Sequence, residues 1–165
     1  MKQKNPLFWF GAIYLVLLVI FAIIGPNFRH PFDEATAAPF LPPGGDYWLG
    51  TDEQGRDIVA RLAYGARISL LIGVSVQVIA VAFGLLIGMV SVFGPRWLAV
   101  SAQRFTDAMF AFPDLLLAIM IAGVFRLGIG PVIIALAVSA WPPVARIVKN
   151  QVASLKDREY VVAAK

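Results

Sequence analysis

A chain of 165 residues that is 59% hydrophobic and only 15% charged has too little polar surface for an ordinary soluble domain and falls in the membrane class. It has no cysteine and one histidine, which excludes disulfides, thiolate metal centres and cysteine nucleophiles. The net charge of +4 is spread between apolar runs without interleaved aromatics, which excludes a nucleic-acid interface and assigns the basic residues to orientation in a bilayer.

Lys2 and Lys4 precede an almost unbroken apolar run at 7–24. Eighteen helical residues span about 27 Å, enough for a bilayer core. A cleaved signal peptide shares the positive start, but this run is long for that role. The nearest small-residue site, Ala35-Thr36-Ala37, lies well beyond it, so an uncleaved anchor is expected. Gly25-Pro26 ends it, and Pro31, Pro39, Pro42-Pro43 and Gly44-Gly45 make the following loop irregular. His30 is a loop residue. The loop acids lack the alternating oxygen ligands of a calcium loop, so no metal is expected.

Gly50 and Gly55 bracket a turn, and Thr51 with Gln54 has capping-box spacing, so a short helix is expected there. From Asp57 the pattern is helical: Ile58 with Leu62 and Val59 with Ala63 stack, and Asp57 can pair with Arg61. Gly65 should interrupt this helix. A second membrane segment then runs over 68–93, with Ala80, Gly84 and Gly88 forming a small-residue stripe suited to close helix packing.

Gly94-Pro95 turns the chain, and Arg96 and Arg104 flank a short connection. The third segment, 105–125, is long enough to span but contains Asp107, Asp114 and Pro113. As one helix it would place both aspartates on one face, with Asp114 about 15 Å in, where a charge costs about 2.5–3.5 kcal/mol. Pro113 offers a kink. Carboxylates paired with basic residues of neighbouring helices are the expected reading; a proton relay or substrate contact is the alternative. The fourth segment, 132–149, contains Trp141-Pro142-Pro143, which should bend or break it, and Arg146 and Lys149 mark its exit. An amphipathic tail follows from Asn150.

Nine Lys and Arg residues fall on the side holding both chain ends and the turn at 94–104. Five, from Arg29 to Arg126, fall on the other. The richer side is therefore expected to be cytoplasmic. No zinc-protease helix, nucleophile elbow or phosphate loop occurs, so the chain is not expected to be an enzyme or to hold a cofactor. Two aspartates on one segment also lack the geometry of a two-helix intramembrane protease.

The string LGTDEQGRDIVARLAYGARISL resembles the segment before the second membrane helix in permease subunits of dipeptide/oligopeptide-type ABC importers. RFTDAMFAFPDLLLAI, WPPVARIVKNQV and REYVVAAK resemble the same family in the same order. This likeness covers residues 48–165, while the first 47 match only in kind. It implies an all-α, polytopic membrane protein, with four transmembrane helices present of an expected six and a helical segment in the extracytoplasmic loop. The implied divisions are a tip and anchor at 1–25, the loop at 26–67, and at 68–165 the N-terminal part of the importer's transmembrane domain.

The partners implied are a second permease subunit in a heterodimer, cytoplasmic ATP-binding subunits that supply the energy, an extracytoplasmic solute-binding protein, and the lipid bilayer of a bacterial or archaeal plasma (inner) membrane. The family's cytoplasmic coupling helix, its EAA loop, would begin at Arg158, Glu159, Tyr160, Val161, Ala163 and Ala164. Val162 stands where the namesake glutamate belongs, and the chain ends inside this element, as a fragment of a longer reading frame would. Peptides lead as substrates, with nickel complexes or other small solutes open. The competing class is a stand-alone proton-coupled carrier using Asp107 and Asp114.

Overall fold

The computed structural model describes residues 6–27, 30–125 and 128–156. Among these, regular structure is helical, apart from two isolated bridges in the loop. The chain forms two compact units, Met1–Leu71 and Ile72–Lys165.

In the first unit, α1 (Pro6–Ile24) begins on a proline, whose missing N–H costs nothing at a helix start. Its apolar side chains are exposed on every side, with only Ala22 buried, the distribution of a helix built for lipid. A 3₁₀ turn, Gly25–Asn27, ends it. Gly25 sits so close to the start of the next helix that a Cβ there would lie 2.6 Å from the Cβ of Ala63.

The intervening loop is pinned rather than loose. Its two arms exchange backbone bonds from Thr36 and Ala37 to the Gly55 carbonyl, from Phe40 to Asp52 and from Thr51 to Leu41. The Thr51 hydroxyl donates to the Ala38 carbonyl at 2.7 Å and accepts from the Leu41 N–H at 2.9 Å. Gly50 and Gly55 have φ of 78° and 73°, and a Cβ on either would collide with the opposite arm's carbonyl oxygen, Leu41 or Ala37. Glycine is thus required both by conformation and by space. The expected short helix at Thr51 is absent, because that hydroxyl serves the opposite arm instead of capping.

Asp52 organises the turn. Its carboxylate accepts from the N–H groups of Gln54 and Arg56 and from the guanidinium groups of Arg56 and Arg61. Arg61, expected beside Asp57, therefore reaches Asp52. Desolvation raises the Asp52 pKa, but the Arg56 and Gln54 N–H groups and the two arginines outweigh it and hold the carboxyl well below its usual range.

Helix α2 (Ile58–Phe93) starts where the Asp57 carboxylate caps the Val59 N–H at 2.9 Å. It runs straight through Gly65, where a break was expected. A lone glycine costs only about 1 kcal/mol in a helix, and helical neighbours on both sides outweigh that. At 36 residues it is about 54 Å long, more than a bilayer core of about 30 Å.

In the second unit, α3 (Arg96–Met109) occupies most of what the sequence suggested was a short connection. Helix α4 (Asp114–Val124) follows after a 90° bend. Pro113 sets that bend: the chain cannot continue helically into it, but can start afresh after it. Asp107 and Asp114 consequently lie on different helices, not on one face. Helix α5 (Ile129–Lys156) contains Pro142 and Pro143 without breaking. Both α3 and α4 pack on α5. Among the described residues, three helices are long and apolar enough to cross a membrane, and a fourth crossing results if α3 and α4 together make one.

Candidate transport core and coupling exit

The second unit is centred on Trp141 of α5, which is buried with Ala80 of α2 and Ala145 of α5, and packed by Ile87, Met109 and Ala140. Phe83 meets the indole edge-on and Phe105 stacks on it, each with ring centroids 5.3 Å away. One side chain thus joins α2, α3 and α5. Its burial follows from the small residues around it: Ala137, Trp141 and Ala145 recur every four residues along one face of α5.

The small-residue stripe on α2 lies against this same helix. A Cβ on Gly84 would sit 2.7 Å from Val144 Cβ, and one on Gly88 2.7 Å from Val148 Cβ and 2.9 Å from the Ala145 carbonyl oxygen. Ala80 is fully buried one turn earlier. Close backbone approach lets dispersion contacts accumulate where lipid offers no hydrophobic drive.

Next to the apolar core the lining becomes polar. Ser91, Gln103, Thr106, Asp107, Ala145, Arg146, Lys149 and Asn150 surround a cavity of about 240 Å³. Arg146 donates to the Asp107 carboxylate at 3.2 Å and lies 3.7 Å over the Phe110 ring, so one guanidinium ties α5 both to α3 and to the bend after it. Both charged side chains remain about half exposed. The Ser91 and Thr106 hydroxyls donate to carbonyls of their own helices, so their oxygens retain acceptor capacity at the cavity.

Asp114 is exposed in the first turn of α4, where the helix dipole favours a negative charge. The expected coupling residues Arg158, Glu159, Tyr160, Val161, Ala163 and Ala164 lie outside the described residues; α5 is helical up to Lys156. Among the described residues no cluster of three or more His, Asp or Glu side chains could hold a metal.

Sequence reasoning missed Trp141 as the hub of three helices, and although it expects the carboxylates to pair with basic residues of neighbouring helices, it did not identify Arg146 as the partner of Asp107. The four-residue repeat of Ala137, Trp141 and Ala145 was the available signal for the first. For the second there was none, since the two residues are 39 apart in sequence.

Residues 80–165 match the family described as binding-protein-dependent transport system inner membrane component. Residues 3–43 match the N-terminal TM domain of oligopeptide transport permease C. The chain is 37% identical to the dipeptide transport system permease protein DppC of Bacillus subtilis, over 99% of this chain and 52% of that protein. It is 38% identical to the oligopeptide transport system permease protein OppC of the same organism, over 98% and 54%. Against the di/tripeptide transport system permease protein DppC of Pseudomonas aeruginosa the identity is 36%, over 94% and 54%. The chain spans about half the length of these relatives. With its long apolar helices and a family match over more than half of its residues, the chain belongs to the binding-protein-dependent transport system inner membrane components.

Proposed function

We propose that the protein forms part of the translocation pathway of an ATP-driven importer of peptides, and couples to a separate ATPase through the segment that follows α5. The observation that carries this reading is similarity along nearly the whole chain to permeases named for dipeptides and oligopeptides. Its partners would be a second permease subunit, cytoplasmic ATP-binding subunits and an extracytoplasmic solute-binding protein. The charge distribution supports cytoplasmic chain ends and an extracytoplasmic loop at 26–67.

The geometry supports a mechanical role for α5. Because the helix is unbroken from Ile129 to Lys156, displacement of its exit would be transmitted to Trp141 and, through Gly84 and Gly88, to α2. The proton-carrier alternative has no such support: Asp107 is paired with Arg146, and Asp114 stands beyond the 90° bend.

The absence of native cysteine makes a direct test simple. In a permease of its relatives' full length that contains this chain, a cysteine at Ala163 should crosslink to the ATPase subunit in membranes, and Ala163→Glu should abolish ATP-driven peptide uptake while leaving insertion intact, because it would bury an unpaired charge at the contact. Wild-type uptake by Ala163→Glu would refute the coupling role.

A further inference from the structure

The last turns of α1, the pinned loop and the start of α2 enclose an apolar groove of about 450 Å³, lined by Leu17, Ile20, Phe21, Ile24, Gly25, Trp48 and Val59. One wall is a membrane helix whose Leu17, Ile20 and Ile24 are exposed. The groove therefore continues the lipid-facing band of α1 to its end. From Ile24 back to Leu17 is about 10 Å of helix, the depth of an interfacial zone rather than of the bilayer centre.

Trp48 forms the opposite lip and is 67% exposed. Backbone bonds hold it in place on both sides: Tyr47 exchanges two with Gly44, and Gly50 donates to the Tyr47 carbonyl at 2.9 Å. Tyr47 is itself fixed by stacking on His30 and by its hydroxyl's bond to the Thr36 carbonyl. The loop thus presents an indole, at a fixed position, level with the final turns of a membrane helix. An amphipathic ring with an N–H donor favours the headgroup boundary, where its body meets acyl chain and its edge meets polar groups.

We propose that this groove is a phospholipid site: an acyl chain of the leaflet holding the C-terminal end of α1 fills it, and Trp48 fixes the loop to that membrane surface. The loop then rests on the bilayer as a rigid cap rather than projecting into solvent. This goes beyond the transport reading and depends only on α1 spanning the membrane.

Spin labels on single cysteines at Trp48, at Ile20 on the groove wall and at Asp46 in the loop test it, in the full chain reconstituted in phosphatidylcholine nanodiscs. The labels at 48 and 20 should be several-fold more accessible to oxygen, relative to a water-soluble nickel chelate, than the label at 46. As a check that retains an aromatic ring, phosphatidylcholine brominated near the carbonyl end of its chains should quench wild-type fluorescence more than that of Trp48→Phe. If the label at 48 is as accessible to the chelate as that at 46, the proposal fails. It fails equally if that label is shielded from both reagents, or is exposed until a solute-binding protein is added, since protein would then be the occupant.

Discussion

The loop at 30–57 and the seam between α2 and α5 are both held tightly, but by opposite means. The loop uses directed polar bonds: one carboxylate, that of Asp52, accepts from two backbone N–H groups and two arginines. The seam uses the removal of side chains, so that Gly84 and Gly88 admit Val144 and Val148. In water, a backbone without partners can bond to solvent, so a loop gains order only from specific acceptors. In lipid, polar bonds are already satisfied within each helix, and close packing is the remaining source of specificity.

If that contrast is correct, the largest loss should come from emptying the seam. Trp141→Ala removes the side chain shared by α2, α3 and α5, and large-to-small changes of this kind cost about 3–5 kcal/mol. Thermal unfolding of the detergent-solubilised protein should fall sharply, and Trp141→Phe should recover much of it.

Filling the seam comes next. Gly84→Leu would drive a side chain into Val144 and the Ala145 backbone, at a cost of about 1–3 kcal/mol or more. Gly73→Leu on the same helix meets nothing within 4 Å and should leave stability unchanged. Equal melting temperatures for the two variants would remove the packing role of the stripe.

The loop should respond to charge and pH instead. The folded Asp52 carboxyl titrates below its unfolded value of about 3.9, so its contribution is complete above that value and is lost as pH falls below it. Trypsin cleavage after Arg56 should therefore show no Asp52-dependent change between pH 8 and pH 7. Asp52→Asn should make that cleavage several-fold faster at either pH, and seam variants should not affect it.

Much of this division was legible in the sequence. The apolar runs, the Ala80–Gly84–Gly88 repeat and the loop glycines all carry local signals, because each reflects a constraint within a few residues. What could not be read depends on distant partners. Nothing near Thr51 indicates that its hydroxyl will serve Ala38 and Leu41 rather than a helix. Pro113 signals a kink in the run at 105–125, but not that the chain turns by 90° into a separate helix beginning at Asp114. Pro142 and Pro143 signal a break that does not occur; Pro142 is buried beside Trp141, where tertiary packing can override local preference.

The smallest expected effect lies where the two modes of cohesion meet, at the Asp107–Arg146 pair beside the seam. Both partners are half exposed, and such pairs are usually worth about 0.2–1 kcal/mol. Asp107→Asn keeps an oxygen that can accept from Arg146, and the guanidinium retains its place over Phe110, worth a similar amount. A double-mutant cycle of Asp107→Asn with Arg146→Gln should thus give a coupling below about 1 kcal/mol. Arg146→Lys should lose more than its retained charge suggests, because a compact ammonium cannot both donate to the carboxylate and lie flat on the ring. Should Asp107→Asn instead abolish uptake without altering stability, the pair would be part of the transport chemistry, and the contrast between a polar loop and a mechanically packed seam would no longer describe the molecule.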